Sequence, residues 1–232
     1  MGGSHPEQRR TCDCDEGRAY AVIPTAFEHA SCDFVSHYGS GSLHVYSFGE
    51  HEEDNILCIE VPAAPDGETD VAFPLVRVQS ACYTAEIFRA TDCDCHEQLH
   101  ESLVRVHRDG GLVVYMICDG RGAGLLTKVR GLALGDTQNL DTWDAYEALG
   151  VEPDPRDYSR VAAVLKDRGL QSLRLLTNNP RKIVGLEEVG FDVEHVSLKI
   201  DATTSSLPYL ITKQRKFGHL YDYTAGEQRA DD

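Results

Sequence analysis

An α/β fold is predicted from two features of the pattern along the chain. Between residues 20 and 80, short apolar runs are separated by clusters of Gly, Pro, Asp and Glu, which reads as an antiparallel β-rich N-terminal part. From about residue 96, segments of helical periodicity alternate with runs of strand length, which reads as helices returning to a sheet.

Residues 1–19 are polar, charged and aperiodic, and 223–232 are similar, so a disordered N-terminal segment and a flexible tail are expected around a domain at 20–222. Within it, LHVYSF (43–48), ILCIEV (56–61) and FPLVRV (73–78) are the expected antiparallel strands. In HEQLHESLVRVHRDGG, Leu99, Leu103 and Val106 share one helical face, and Gly110-Gly111 closes the helix. LVVYMI (112–117) then reads as a buried strand, and the DGRGAG loop leads into a second helix with Leu125, Val129 and Leu132 on one face. Helices fit 142–149 and 157–168, followed by the strand LRLL (173–176). Asn179 is placed to cap a helix that starts at Pro180, and VEHVSL (193–198) is the last predicted strand.

The 232 residues, 41% of them hydrophobic, suffice for one core. With 38 acidic and 22 basic residues, the formal charge of −16 argues against nucleic acid or anionic lipid as partners, so an anionic ligand needs a local basic pocket. No apolar run reaches the roughly 20 residues of a membrane span. The first twenty residues also lack the apolar centre of an export signal, and a cytoplasmic protein is expected. In that setting the eight cysteines are expected to be thiols or thiolate ligands before disulfides. Cys32, Cys58 and Cys118, in or near apolar stretches, read as small buried hydrophobes.

Cys82, Cys93 and Cys95 form a C-x10-C-x-C set. Three protein ligands with a fourth position for water is the pattern of catalytic zinc, but this spacing is not a zinc knuckle and is read equally well as three unrelated thiols. Cys12 and Cys14 repeat the C-x-C spacing in the polar N-terminal segment and are read as bystanders. An Asp-Pro-Arg such as Asp154 to Arg156 is, by itself, a turn with a solvated ion pair.

Several stretches together change these readings. RVQSACYTAEIFRATDCDCHEQL, DGRGAGLLTKVRGLAL, DPRDY, RLLTNNPRKIVGLEEVGFDVEHVSL and YLITKQRKFGHL occur in the order and near the spacing of GTP cyclohydrolase II, and the chain resembles that family over roughly 20–222. The resemblance implies a mixed sheet with flanking helices, a homodimer, and one Zn²⁺ per subunit on Cys82, Cys93 and Cys95 whose water attacks C8 of a purine. It further implies Arg156 as a nucleophile that displaces pyrophosphate, with Asp154 managing the proton. Arg77, Gln98, Asp119, Gly120, Arg121, Thr142, Thr177 and Lys182 fall at nucleotide-binding positions, the triphosphate being carried with Mg²⁺. Single Lys or Arg residues elsewhere are read as surface.

The family pattern is broken around the base and the water. RVHSEC reads RVQSAC, placing Gln79 and Ala81; QEGR reads CDGR, placing Cys118 and the shorter acid Asp119; and a tyrosine is replaced by Leu132. Three readings follow: GTP opening that stops at a formylamino-pyrimidine nucleotide, opening of a different nucleobase, or a nucleotide-binding zinc protein without turnover.

Overall fold

The computed structural model describes residues 22–63 and 73–220. The expected loose ends at 1–19 and 223–232, with Cys12 and Cys14, lie outside these residues.

Seven strands build one mixed sheet: β1 (Glu28–Ser36), β2 (Gly39–Ser47), β3 (Asn55–Val61), β4 (Leu75–Ser80), β5 (Gly111–Met116), β6 (Ser172–Leu176) and β7 (Asp192–Val196). Their spatial order is β1-β2-β3-β5-β4-β6-β7. The first three strands and β5 pair antiparallel, whereas β4 pairs parallel to both β5 and β6, and β6 pairs parallel to β7. The expectation of antiparallel strands therefore holds for the 43–48 and 56–61 runs and fails for FPLVRV. Apolar content marks β4 as a strand, but its direction follows from the helical crossover to β5.

The helices are α1 (Tyr83–Glu86), α2 (Cys95–Asp109), α3 (Leu125–Gln138), α4 (Thr142–Ala148), α5 (Ser159–Asp167), α6 (Pro180–Glu187) and α7 (Leu207–Phe217). The period-2 alternation of the central strands divides two apolar layers. Val76, Val78, Leu112, Val114, Leu173 and Leu175 pack under α5, with Leu186 of α6. Leu75, Val113 and Leu176 face Leu99, Leu103 and Val106 of α2, the stripe its spacing predicts. Gly110 ends α2 at φ 75°, and a Cβ there would come within 2.6 Å of the Ala63 backbone, so the close approach of the two segments requires glycine. Leu173→Ala, at a position with 0% exposure, is expected to lower unfolding stability by about 2–5 kcal/mol, read by urea denaturation.

Two further expectations differ from what is found. Leu125, Val129 and Leu132 do share a face of α3, but they are 42%, 49% and 40% exposed, and of the three Leu132 lines a cavity. Cys58 is buried as expected, while Cys32 is exposed on edge strand β1 and Cys118 is intermediate. No described helix is long and apolar enough to cross a membrane.

Candidate active site

Parallel strands β5, β4 and β6 end side by side, and the residues that follow them line one cavity of about 430 Å³. Crevices outside the carboxyl ends of strands are where α/β sheets gather ligands. Segments 79–82, 119–121 and 177–179 form its floor, and α3, α4 and α7 contribute its walls.

Cys82 follows β4 and precedes α1, Cys93 sits in the next loop, and Cys95 opens α2. These sequence-distant thiols converge: their sulfurs lie within 4.8 Å of one another, with Cys82 Sγ and Cys93 Sγ 3.9 Å apart. All six described cysteines are free thiols. Hydrogen bonds from Cys93 and Cys95, aided by the Lys128 charge, hold the Cys82 thiol far below its ordinary range against the effect of burial. The three sulfurs, all lining the cavity, lie close enough together to share one metal ion, and three thiolates are a ligand set that suits zinc.

On the same cavity Arg156 makes a bidentate pair with Asp154, Nε to Oδ1 at 2.7 Å and Nη2 to Oδ2 at 2.6 Å, and its Nη1 donates to Ser80 Oγ at 3.3 Å. Burial alone would raise the Asp154 carboxyl, but the Arg156 hydrogen bonds and charge, with Arg181 and Arg121 behind them, hold it below the usual carboxylate range. This is no solvated turn: the two side chains are 2% and 10% exposed.

Of the expected nucleotide-binding residues, Lys182 is buried and donates to Val78 O at 2.7 Å. Burial and the neighbouring Arg77 and Arg156 charges pull its pKa well down. An incoming anion relieves such an ammonium by supplying the missing opposite charge. Thr177 Oγ1 accepts from Asn179 N at 3.1 Å just before α6, which Asn179 caps through Arg181 N at 3.0 Å. Arg77 is committed internally: Nε and Nη2 donate to Gln79 Oε1, Nη2 also to Gln98 Oε1 at 2.8 Å, and Nη1 to Leu176 O at 3.0 Å. It thus ties Gln79 and Gln98 to the end of β6. Thr142 opens α4, capped by Asp141.

Arg121 adopts left-handed backbone angles, φ 56° and ψ 33°. Its guanidinium lies 3.6 Å from the Phe217 ring centroid, Nη2 reaches Tyr209 OH at 3.3 Å, and the buried Nη1 has no hydrogen-bond partner among the described residues. A charged donor held this way is prepared for an anion. Gly120, at φ 59°, lies under Tyr146, whose hydroxyl donates to its carbonyl at 3.2 Å. Asp119 accepts from Gly120 N at 2.5 Å, Tyr83 N at 2.8 Å and Lys128 Nζ at 2.9 Å. At 2% side-chain exposure, little of this carboxylate remains for a nucleobase.

Sequence reasoning missed Lys128, Tyr209, Phe217 and the buried Lys213 to Asp94 pair at 2.6 Å. A lone lysine in a helix gives no local sign that it points inward, and α7 was not predicted. The reading of isolated cations as surface fails for both Lys128 and Lys213. Arg77, Arg121, Lys128, Arg156, Lys182 and Lys213 all line the cavity, a concentration of cations in a chain of charge −16, beside the acids Asp92, Asp119, Asp136 and Asp141.

A family model described as GTP cyclohydrolase II matches residues 28–197. Riboflavin biosynthesis protein RibBA of Bacillus cereus strain G9842 is 48% identical over 159 residues, covering 66% of this chain and 39% of that protein. The RibBA of Bacillus mycoides strain KBAB4 is 49% identical over 148 residues, covering 63% and 37%. The chain thus spans about two fifths of the length of these relatives. Among solved structures, RibBX, a two domain 3,4-dihydroxy-2-butanone 4-phosphate synthase from A. baumannii, matches 76% of this chain and 41% of that one at 16% identity and TM-score 0.42.

Proposed function

We propose that this chain, which belongs to the GTP cyclohydrolase II family, is a zinc-dependent hydrolase that opens the imidazole ring of GTP and releases pyrophosphate. One observation carries the reading: three thiols able to share an ion line the same cavity as Arg156, whose guanidinium is paired with the buried Asp154. A zinc held by Cys82, Cys93 and Cys95 supplies activation of water, whose pKa falls toward neutrality on the ion.

The chain's own groups account for the remaining steps. Arg121, whose Nη1 has no hydrogen-bond partner among the described residues, and Lys182 receive the phosphates, carried with Mg²⁺, beside the amides that open α6. An Arg156 nitrogen attacks the α-phosphorus, forming an N–P bond as the P–O bond to pyrophosphate breaks, and water later cleaves that N–P bond, its hydroxyl going to phosphorus and its proton to nitrogen, which releases the nucleotide product and restores Arg156. Burial alone would lower the Arg156 guanidinium pKa, but the neighbouring Tyr158 and Asp154 hold it above its usual range, so its proton passes to Asp154, which already accepts two Arg156 N–H groups, only as the new N–P bond makes that nitrogen acidic. Burial and the contacts that restrain Arg156 orient it for this attack. A homodimer with one zinc per subunit is part of the same reading. A place for the product in riboflavin biosynthesis follows from the name the RibBA relatives carry.

A second reading is favoured by the base side of the cavity. Asp119 is committed to three donors, Ala81 offers no polar side chain, and Leu132 at the cavity wall cannot move a proton. Reaction that ends at a formylamino-pyrimidine nucleotide, or a move to another nucleobase, fits that loss of polar groups. Mass spectrometry of products from a panel of nucleoside triphosphates tests both. A formyl-retaining product from GTP is expected; inert GTP beside another opened base supports the changed specificity. Absence of pyrophosphate from every triphosphate would leave only a binding protein.

A further inference from the structure

We propose that Lys128 is a positioning residue of the metal centre: it donates to Cys82 Sγ while Asp119 holds it in place, so the acid of the DGRG loop serves the sulfur rather than the nucleobase. The inference rests on the zinc reading above and assigns Lys128 a role within it.

Lys128 Nζ lies 3.1 Å from Cys82 Sγ and 2.9 Å from Asp119 Oδ1, and its side chain is 16% exposed. Asp119 closes the arrangement, because its Oδ2 accepts from the backbone N of Tyr83, the first residue of the helix that Cys82 precedes. Four residues from three segments, the end of β4, the loop after β5 and α3, are thereby joined in one ring of contacts. The short side chain of Asp119 fits this duty. It turns back to accept from the adjacent Gly120 N, as Asp side chains do at turns, and so remains beside the ammonium.

The electrostatic consequence follows from charge counting. A divalent ion on three thiolates carries one net negative charge, and one ammonium placed against a sulfur cancels it. An N–H donated into the sulfur also draws electron density away from the metal bond, which makes the ion a stronger Lewis acid toward water. Packing alone would need only the methylene stem of Lys128, whereas this role needs the charged donor.

Cobalt(II) chloride is the probe, added to the metal-free full chain, with the sulfur-to-cobalt charge-transfer band recorded beside the far-ultraviolet circular dichroism. Lys128→Met is expected to keep its fold and its cobalt, move the band to longer wavelength, and lower kcat about 10- to 100-fold with a smaller change in KM. Lys128→Arg, which still donates, is expected to return the band toward its original position. An unshifted band in folded, cobalt-loaded Lys128→Met overturns the proposal. As a second measurement, Lys128→Gln is expected to move the band in the same direction as Lys128→Met, and an unshifted band in that folded, cobalt-loaded variant likewise overturns the proposal. A natural chain that binds cobalt with no sulfur band at all overturns the zinc reading itself, and this inference with it.

Discussion

Cys93→Ser is expected to yield a folded protein that holds no stoichiometric zinc and opens no ring. Cys93 lies in the loop between α1 and α2, outside both apolar layers of the sheet, so its loss removes no core packing. It is a free thiol, so no disulfide is lost either. What the change removes is one of three sulfurs within 4.8 Å of one another. A serine hydroxyl stays protonated at neutral pH and donates weakly to zinc, and two remaining thiolates do not close the centre. Loss of an outer-shell partner typically costs about 10- to 100-fold, and removing a ligand is expected to exceed that. Metal analysis and product assays measure the effect. Thermal unfolding adds an independent readout, since an ion that binds only the folded state stabilises it. A chelator should therefore lower the melting temperature of the natural chain and leave that of Cys93→Ser unchanged. Full activity with one bound zinc in the variant would refute the centre.

Much of the fold was legible because local periodicity and burial agree. The Leu99, Leu103 and Val106 stripe of α2 meets the sheet, and Asn179 with Pro180 starts α6 as the sequence predicts. What was illegible depends on nonlocal pairing. β1, EHASCDFVS, is almost wholly exposed and has no alternation to read, and only its ladder with β2 makes it a strand. The direction of β4 is set by partners remote in sequence, β5 and β6. The site divides in the same way. The thiols of Cys82, Cys93 and Cys95 could be named from resemblance, but their approach to one another needed the turn after β4 and the start of α2. Asp119 was placed among the nucleotide-binding residues as a shortened acid; its contacts with the backbone of Tyr83 and the ammonium of Lys128, to which the sequence assigned no role, could not be read from it.

The second large effect is expected from Asp154→Asn. The carboxylate is 2% exposed and accepts two N–H groups of Arg156. Amide substitution keeps the shape but removes the charge, leaving the Arg156 guanidinium buried without its counter-ion. Breaking one side of a buried pair costs about 3–5 kcal/mol of stability. Because the folded pKa of Asp154 is depressed, the stabilisation from its charge is present above the ordinary carboxylate pKa and is lost as pH falls toward the lowered folded value. The stability gap between the natural chain and the variant should therefore narrow on acidification, which urea titrations at several pH values will show. Pyrophosphate release should fall by about 10²- to 10⁴-fold, the range for losing a positioned proton acceptor. Zinc content should stay at its natural value, because none of the three sulfurs contacts Asp154. That combination separates this variant from Cys93→Ser: one keeps the metal and loses the proton acceptor, the other loses the metal and keeps the pair. Undiminished pyrophosphate release from Asp154→Asn would remove Asp154 from the chemistry and leave it only the stabilisation of Arg156.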